Sequence, residues 1–213
     1  GESTRPGANP VSAAEECDRI IPVIERLADL DALVSVDTRK APVAEAALDA
    51  GAGMVNDVTG LGDAAMRRLV AERDVPAVLM HSLSAPVDPG EQHAYDDVVD
   101  DVLSDLTERI LLAERAGIDR DRIVVDPGLG FGKRTAESFE LLDRLGEFRA
   151  LDCPVMVGHS HKSMFERVGG GDDRLAPTVA ATALAAERGA DIVRVHDVPE
   201  NVAAVATAER TRE

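Results

Sequence analysis

The chain has 213 residues, 45% of them apolar but only 2% aromatic and none Trp, enough for one domain whose core Ala, Val and Leu must pack, and too short for two comfortable domains. Forty acidic against 23 basic residues give a net charge of −17, which excludes general nucleic-acid binding. No apolar run of about 18 residues is available to cross a bilayer, and no basic segment followed by an apolar stretch opens the chain, so neither a membrane span nor a secretory leader is expected.

The chain opens on GESTRPGA (1–8), dense in small, polar and turn-prone residues that suit a working loop. Residues 15–30 follow with apolar side chains at helical spacing (Ile20, Ile21, Ile24, Leu27). A strand is expected over 33–38, a helix over 44–50 ending at Gly51, a strand over 54–58 and a helix over 63–73. The next strand, 76–81, leads through a longer loop to a helix over 97–116 closed by Gly117. The second half repeats the alternation, with strands over 123–128, 154–160 and 192–197 and helices over 135–148, 177–188 and 199–210.

The strands are continuous apolar runs, as expected when helices cover them, and strand–helix alternation predicts a parallel sheet with right-handed crossovers. Each of the six units ends in polar or Gly residues just past its strand: DTRK, NDVTG, MHS, DPGLGFGK, GHSHKS and RVHDV. A doubly wound sheet gathers ligands at one switch point, whereas a (β/α)8 barrel spreads chemistry over all its strand ends. The pattern therefore predicts an α/β fold, a TIM barrel, with six of eight β/α units in one domain spanning 1–213. The leading loop looks like one that follows an earlier strand, so two N-terminal strands are expected to be missing.

Only three of the 23 basic residues are Lys, namely Lys40, Lys133 and Lys162, and each follows a predicted strand. An acid-rich, Lys-poor composition also points to a protein adapted to high salt, where screening relieves self-repulsion. Cys17 and Cys153 stand far apart and read as reduced thiols of a cytoplasmic protein.

Asp37, Asn56 and Asp126 each close a different strand. Together they could take a polar heterocycle by accepting from its ring N–H and amino donors, or a divalent cation, or simply cap the following helices. DPGLGFGK matches neither a phosphate-binding loop nor a dinucleotide fingerprint, and suits a tight loop that presses backbone and Phe131 against a flat ligand. Arg194 and His196, two apart at the last strand end, point the same way and with Thr4 and Arg5 would make an anion site suited to diphosphate; an ion pair of Arg194 with Asp197 is the structural alternative. His159 and His161 form an HxH pair, but a zinc hydrolase carries such a pair near its first strand and needs two further His and an Asp later on, so this reading is set aside. His81, His93 and Tyr95 receive no role and are read as ordinary loop residues.

The motifs GESTRPGA, VDTRK, NDV, MHS, DPGLGFGK, HSHKSMF and RVHDV, taken in that order, resemble the dihydropteroate synthase family over the whole chain. The resemblance implies a (β/α)8 barrel that joins 6-hydroxymethyl-7,8-dihydropterin diphosphate to p-aminobenzoate, with Mg²⁺ present. It implies that Asp37, Asn56, Asp126 and Lys162 bind the pterin and that Thr4, Arg194 and His196 hold the diphosphate. Arg5, Pro6, Phe131 and Ser163 would shape the p-aminobenzoate pocket, with Ser163 and a helix N-terminus receiving the carboxylate. The family usually has Arg where this chain has His161. Its Mg²⁺-binding Asn belongs to a first strand that this sequence does not contain, so no metal ligand is expected here and the chain alone is expected to be inactive. A homodimer through the late helices is also implied. The alternatives are a pterin-binding methyltransferase domain, which needs no diphosphate site, and a non-catalytic relative of the synthase.

Overall fold

The computed structural model describes residues 1–5, 7–83, 94–166, 168 and 173–211. Six parallel strands alternate with helices: α1 (Ala13–Leu27), β1 (Ser35–Asp37), α2 (Ala41–Asp49), β2 (Met54–Asp57), α3 (Ala64–Arg73), β3 (Ala77–Met80), α4 (Val98–Arg115), β4 (Ile123–Asp126), α5 (Thr135–Asp143), β5 (Met156–Gly158), α6 (Leu175–Glu187), β6 (Ile192–Arg194) and α7 (Val198–Arg210). β1 to β4 pair in chain order, β5 pairs β6, and a single bridge between Val125 and Val155 joins the two groups. Spatial order follows chain order throughout, as it does around a barrel and does not across a switch point.

The pairing register sorts every strand residue onto one of two faces. Val36, Val55, Leu79, Val125 and Val157 face the helices and join the main core, which runs through Leu106 and Ile110 of α4 to Leu141 and Phe148. Burying an aliphatic side chain of that size contributes about 1.5–3 kcal/mol. The opposite face holds a smaller cluster of Met54, Val78, Val124 and Met156. One step along each strand, Asp37, Asn56, Asp126 and Arg194 continue that inner face. Its apolar layer thus forms a floor beneath a polar mouth.

Helix ends depart from the sequence reading where turn chemistry decides. α2 begins at Ala41, earlier than residue 44, because Pro42 is tolerated in a first turn whose N–H groups have no partners. α1 stops at Leu27, short of residue 30. The helix expected over 135–148 is instead α5 followed by a 3-10 segment, Leu145–Leu151. Asp97 caps α4 by accepting from the Val99 and Asp100 amides at 2.9 and 3.1 Å, and is also held by Arg144 at 2.8 Å.

Candidate active site at the strand carboxyl ends

Asp126 ends β4 and is 4% exposed. Its Oδ1 accepts from the Gly128 amide at 2.7 Å, while a Cβ placed on Gly158 would stand 3.6 Å from Oδ2. Gly158 therefore leaves room beside the second oxygen. Burial pushes the Asp126 carboxyl above its ordinary range, against the pull of Lys162, the Gly128 amide, Lys133 and Arg194. Asn56 at the end of β2 is 7% exposed, and its Oδ1 is buried without a hydrogen-bond partner among the described residues. An unsatisfied buried acceptor costs about 1–3 kcal/mol, which a ligand N–H would recover. Its neighbour Asp57 faces the helices, where Oδ1 accepts from the Thr59 amide at 2.8 Å and hydroxyl at 2.7 Å.

A cavity of about 210 Å³ lies at this end of the sheet, lined by Gly158, Ser160, Lys162, Arg194, Val195 and His196. Arg194 donates to Asp37 Oδ2 at 2.6 Å, so the two ends of the strand series meet. His196 Nδ1 lies 2.8 Å from Ser160 Oγ. Arg194 is not paired with Asp197, the alternative open in the sequence; Asp197 instead lies 2.5 Å from His161 Nε2.

The three lysines differ in how many of their N–H groups are used. Lys40 Nζ donates to Glu2 at 2.9 Å, the Val11 carbonyl at 2.7 Å and Glu16 at 2.7 Å. Burial acts to raise the Glu2 carboxyl, but hydrogen bonds from Lys40 and Arg39 outweigh it and hold the group at about 2. Lys40 thus ties the GESTRPGA loop to β1 and α1. Lys133 Nζ is ringed by His81 Nδ1 at 2.8 Å and the Gly128 and Phe131 carbonyls at 3.0 and 3.1 Å. Lys162 Nζ is different. Among the described residues it makes one hydrogen bond, to the Leu129 carbonyl, and stands 4.5 Å from the centre of the Phe131 ring. Two of its N–H groups remain for a ligand. Burial pushes it down to about 8, opposed by Asp126 and aided by Arg194.

The other expected site residues are placed less centrally. Thr4 is partly exposed and Arg5 exposed in the first loop; Pro6, like His93, lies outside the described residues. Ser163 is exposed and begins a single 3-10 turn, Ser163–Phe165; the next helix, α6, starts at Leu175, and its Thr178 hydroxyl accepts from the His161 amide of the same loop at 3.1 Å. His159 turns outward, completely buried, with Nε2 2.7 Å from Thr182 Oγ1 and 3.2 Å from the Thr178 carbonyl. It diverges from His161, and no metal pair forms. His81 is no ordinary loop residue: it is 3% exposed and caps the Lys133 ammonium. Ser160 was not singled out in the sequence. Its signal is the motif itself, since a hydroxyl two residues beyond an inner-face Gly shares the ligand's side of the strand end.

A family model described as "Pterin binding enzyme" matches residues 1–196. The chain belongs to the pterin-binding enzyme family. Over 214 residues it is 41% identical to the dihydropteroate synthase of Escherichia coli K12, an alignment covering 99% of this chain and 76% of that one. A Haloferax volcanii protein described as a probable bifunctional folylpolyglutamate synthase/dihydropteroate synthase is 65% identical over all of this chain. The match spans 26% of the Haloferax protein's length, so the chain corresponds to about a quarter of that relative. The fold is that of solved family members. A Xanthomonas albilineans dihydropteroate synthase with 4-aminobenzoic acid superposes with a TM-score of 0.92 at 46% identity, over 100% of this chain and 77% of that one. The Yersinia pestis synthase in a sulfonamide drug complex gives 0.95 at 40% identity, over 100% and 78%. The (β/α)8 barrel expected from the sequence is thus the architecture of the family, and six of its strands are described here.

Proposed function

We propose that this chain carries dihydropteroate synthase chemistry, the joining of 6-hydroxymethyl-7,8-dihydropterin diphosphate to p-aminobenzoate. One observation carries the reading: an ammonium with spare donors, Lys162, beside the buried carboxyl of Asp126 at the strand ends. In this reading Asp37, Asn56 and Asp126 accept from the ring N–H and amino groups of the pterin, and Lys162 donates to it. Thr4, Arg194 and His196 gather the diphosphate. As the methylene C–O bond breaks, its electron pair leaves with the diphosphate, whose charge Arg194 and His196 stabilise. The methylene cation left behind is delocalised into the dihydropterin ring. The arylamine nitrogen then forms the C–N bond and releases its proton, so no protein nucleophile is required. Arg5, Pro6, Phe131 and Ser163 border the p-aminobenzoate.

Magnesium enters with the resemblance alone. Among the described residues no three His, Cys, Asp or Glu side chains converge, and the Asn that the resemblance assigns to the ion belongs to a strand outside this sequence. A homodimer through α6 and α7 is part of the same reading, with Leu184 and Val202 exposed on those helices. No helix is long and apolar enough to cross a membrane among the described residues.

The test is diphosphate release from the dihydropterin substrate in multimolar KCl with Mg²⁺, using the polypeptide that carries this chain. Release that requires p-aminobenzoate and collapses in the Lys162→Ala protein is expected. Tight pterin binding without such release would instead mark a pterin-binding domain of another purpose.

A further inference from the structure

The Lys133 ammonium lies outside the cavity at the strand ends, yet it organises that cavity's wall. It is bonded on one side to His81 Nδ1, a residue whose own amide extends the β3–β4 ladder by donating to the Asp126 carbonyl at 2.9 Å. On the other side it draws in the carbonyls of Gly128 and Phe131. Gly128, Gly130 and Gly132 all have left-handed backbone, φ +67, +78 and +66, which lets successive carbonyls of this short loop turn toward different partners. The Leu129 carbonyl, between the two that Lys133 holds, faces the other way and takes the Lys162 ammonium. The Phe131 ring covers the same ammonium. One loop is therefore clasped by one lysine and clasps another.

We propose that Lys133 is a positioning residue: with His81 it fixes the Gly128–Phe131 segment so that Leu129 and Phe131 hold Lys162 in place for the pterin. The chemistry of the cage explains why a chain with 20 Arg keeps Lys here. Three acceptors within 3.1 Å, with the His81 carbonyl more distant at 3.5 Å, converge on one point and suit the three N–H groups of an ammonium, whereas a planar guanidinium spreads its donors over a wide fork. Burial pushes Lys133 down to about 7, opposed by Asp126, Glu137 and Asp105 and reinforced by Lys162. A cation kept at such a desolvation cost is more than filler.

The inference rests on the proposed pterin role of Lys162, and its test has one readout that needs no turnover. Selective ¹³C-lysine labelling, with the signals assigned by substitution, follows the titration of Lys162, which faces Asp126 and Arg194. In Lys133→Met and Lys133→Arg proteins that unfold cooperatively, the Lys162 midpoint is expected to rise by roughly a unit as its cover loosens. Affinity for the dihydropterin diphosphate is expected to fall about tenfold. The Arg variant keeps the charge but cannot fill the cage, which separates positioning from simple electrostatics. Should the Lys133 variants fail to fold, His81→Leu leaves the cage one acceptor short and is expected to move both readouts the same way. A folded Lys133→Arg or His81→Leu protein with an unchanged Lys162 midpoint and pterin affinity within twofold of wild type overturns the inference. Failure of the synthase reading looks different: the Lys162 midpoint moves as expected while wild type releases no diphosphate.

Discussion

Arg194 and Asp37, 157 residues apart in the sequence, meet at 2.6 Å where β6 and β1 end. Both are substantially exposed, 60% and 38% as side chains, so in water the pair contributes no more than about 1 kcal/mol. Each is free to exchange the other for a ligand at small cost. Arg194→Ala is expected to lower the unfolding midpoint by no more than about 2–4 °C, while weakening inorganic diphosphate binding about tenfold or more. Asp37→Asn should leave diphosphate binding intact and weaken the pterin instead. Calorimetric titration with each ligand separates the two effects, and a variant that weakens both equally would contradict the division of roles.

Two glycines predict opposite outcomes for the same substitution. At Gly128, φ is +67 and an added Cβ would stand 1.9 Å from the His81 carbonyl oxygen, so Gly128→Ala is expected to cost about 3 kcal/mol or more. At Gly158 the nearest atom, Asp126 Oδ2, is at an ordinary 3.6 Å. Gly158→Ala should fold with nearly wild-type stability and lose pterin affinity, because the methyl group occupies space beside the Asp126 carboxyl. Urea unfolding and pterin titration on the two proteins give the comparison directly.

Pterin affinity is expected to decline above about pH 8, as Lys162 loses its proton. Lys162→Met should bind weakly at every pH and show no such decline. The stability of the fold moves the other way. Since the ammonium titrates at about 8 when folded and at 10.5 when unfolded, the unfolded chain binds more protons between those values, and stability rises with pH across them. Binding and unfolding measured over pH 7–10 should therefore show opposite slopes.

His159 governs the acid side. Burial pushes its imidazole from 6.5 down to about 4, so below 6.5 the unfolded state takes up a proton that the folded state refuses. The His159 contribution to stability is expected to be lost between about pH 6.5 and 4, by at most about 3 kcal/mol. His159→Gln should flatten that window while retaining a hydrogen bond to Thr182. The raised Asp126 and Asp57 carboxyls act in the opposite sense over the same window, so the test is the difference between wild type and His159→Gln in thermal unfolding at small pH steps, and two parallel curves would exclude it.

The net charge of −17 predicts a dependence on salt. Screening shortens the reach of self-repulsion to about 3 Å at 1 M, so the unfolding temperature should rise with KCl into the molar range. Sucrose at matched water activity, which screens nothing, should give a smaller rise.

The alternation of strands and helices was legible because helix-covered strands must be apolar runs and their polar residues must cluster past one end. Asn56 and Asp126 were legible for the same reason. What the sequence hid is the use of each polar group. VDTRK and HSHKS each offer a lysine after a strand, and nothing local reveals that Lys40 is saturated by Glu2, Glu16 and Val11 while Lys162 is not. His81 reads as a loop residue until the glycine turn 47 residues later brings Lys133 against it. Ser163 reads as the start of a helix, yet it opens one 3-10 turn, and it is Thr178 of α6 that reaches the loop, at the His161 amide. Local pattern reports which residues reach the strand ends, and long-range contacts decide which of them still have a donor or acceptor to offer.

The two-residue beat of β2 sends Asn56 to the inner face and Asp57 to the helices. Deleting one residue from this strand would exchange them, setting a carboxyl where an amide stands and sending Met54 out among the helices. Insertions and deletions that leave this inner face intact are therefore expected in the loops, with the two-residue spacing of the strands held fixed.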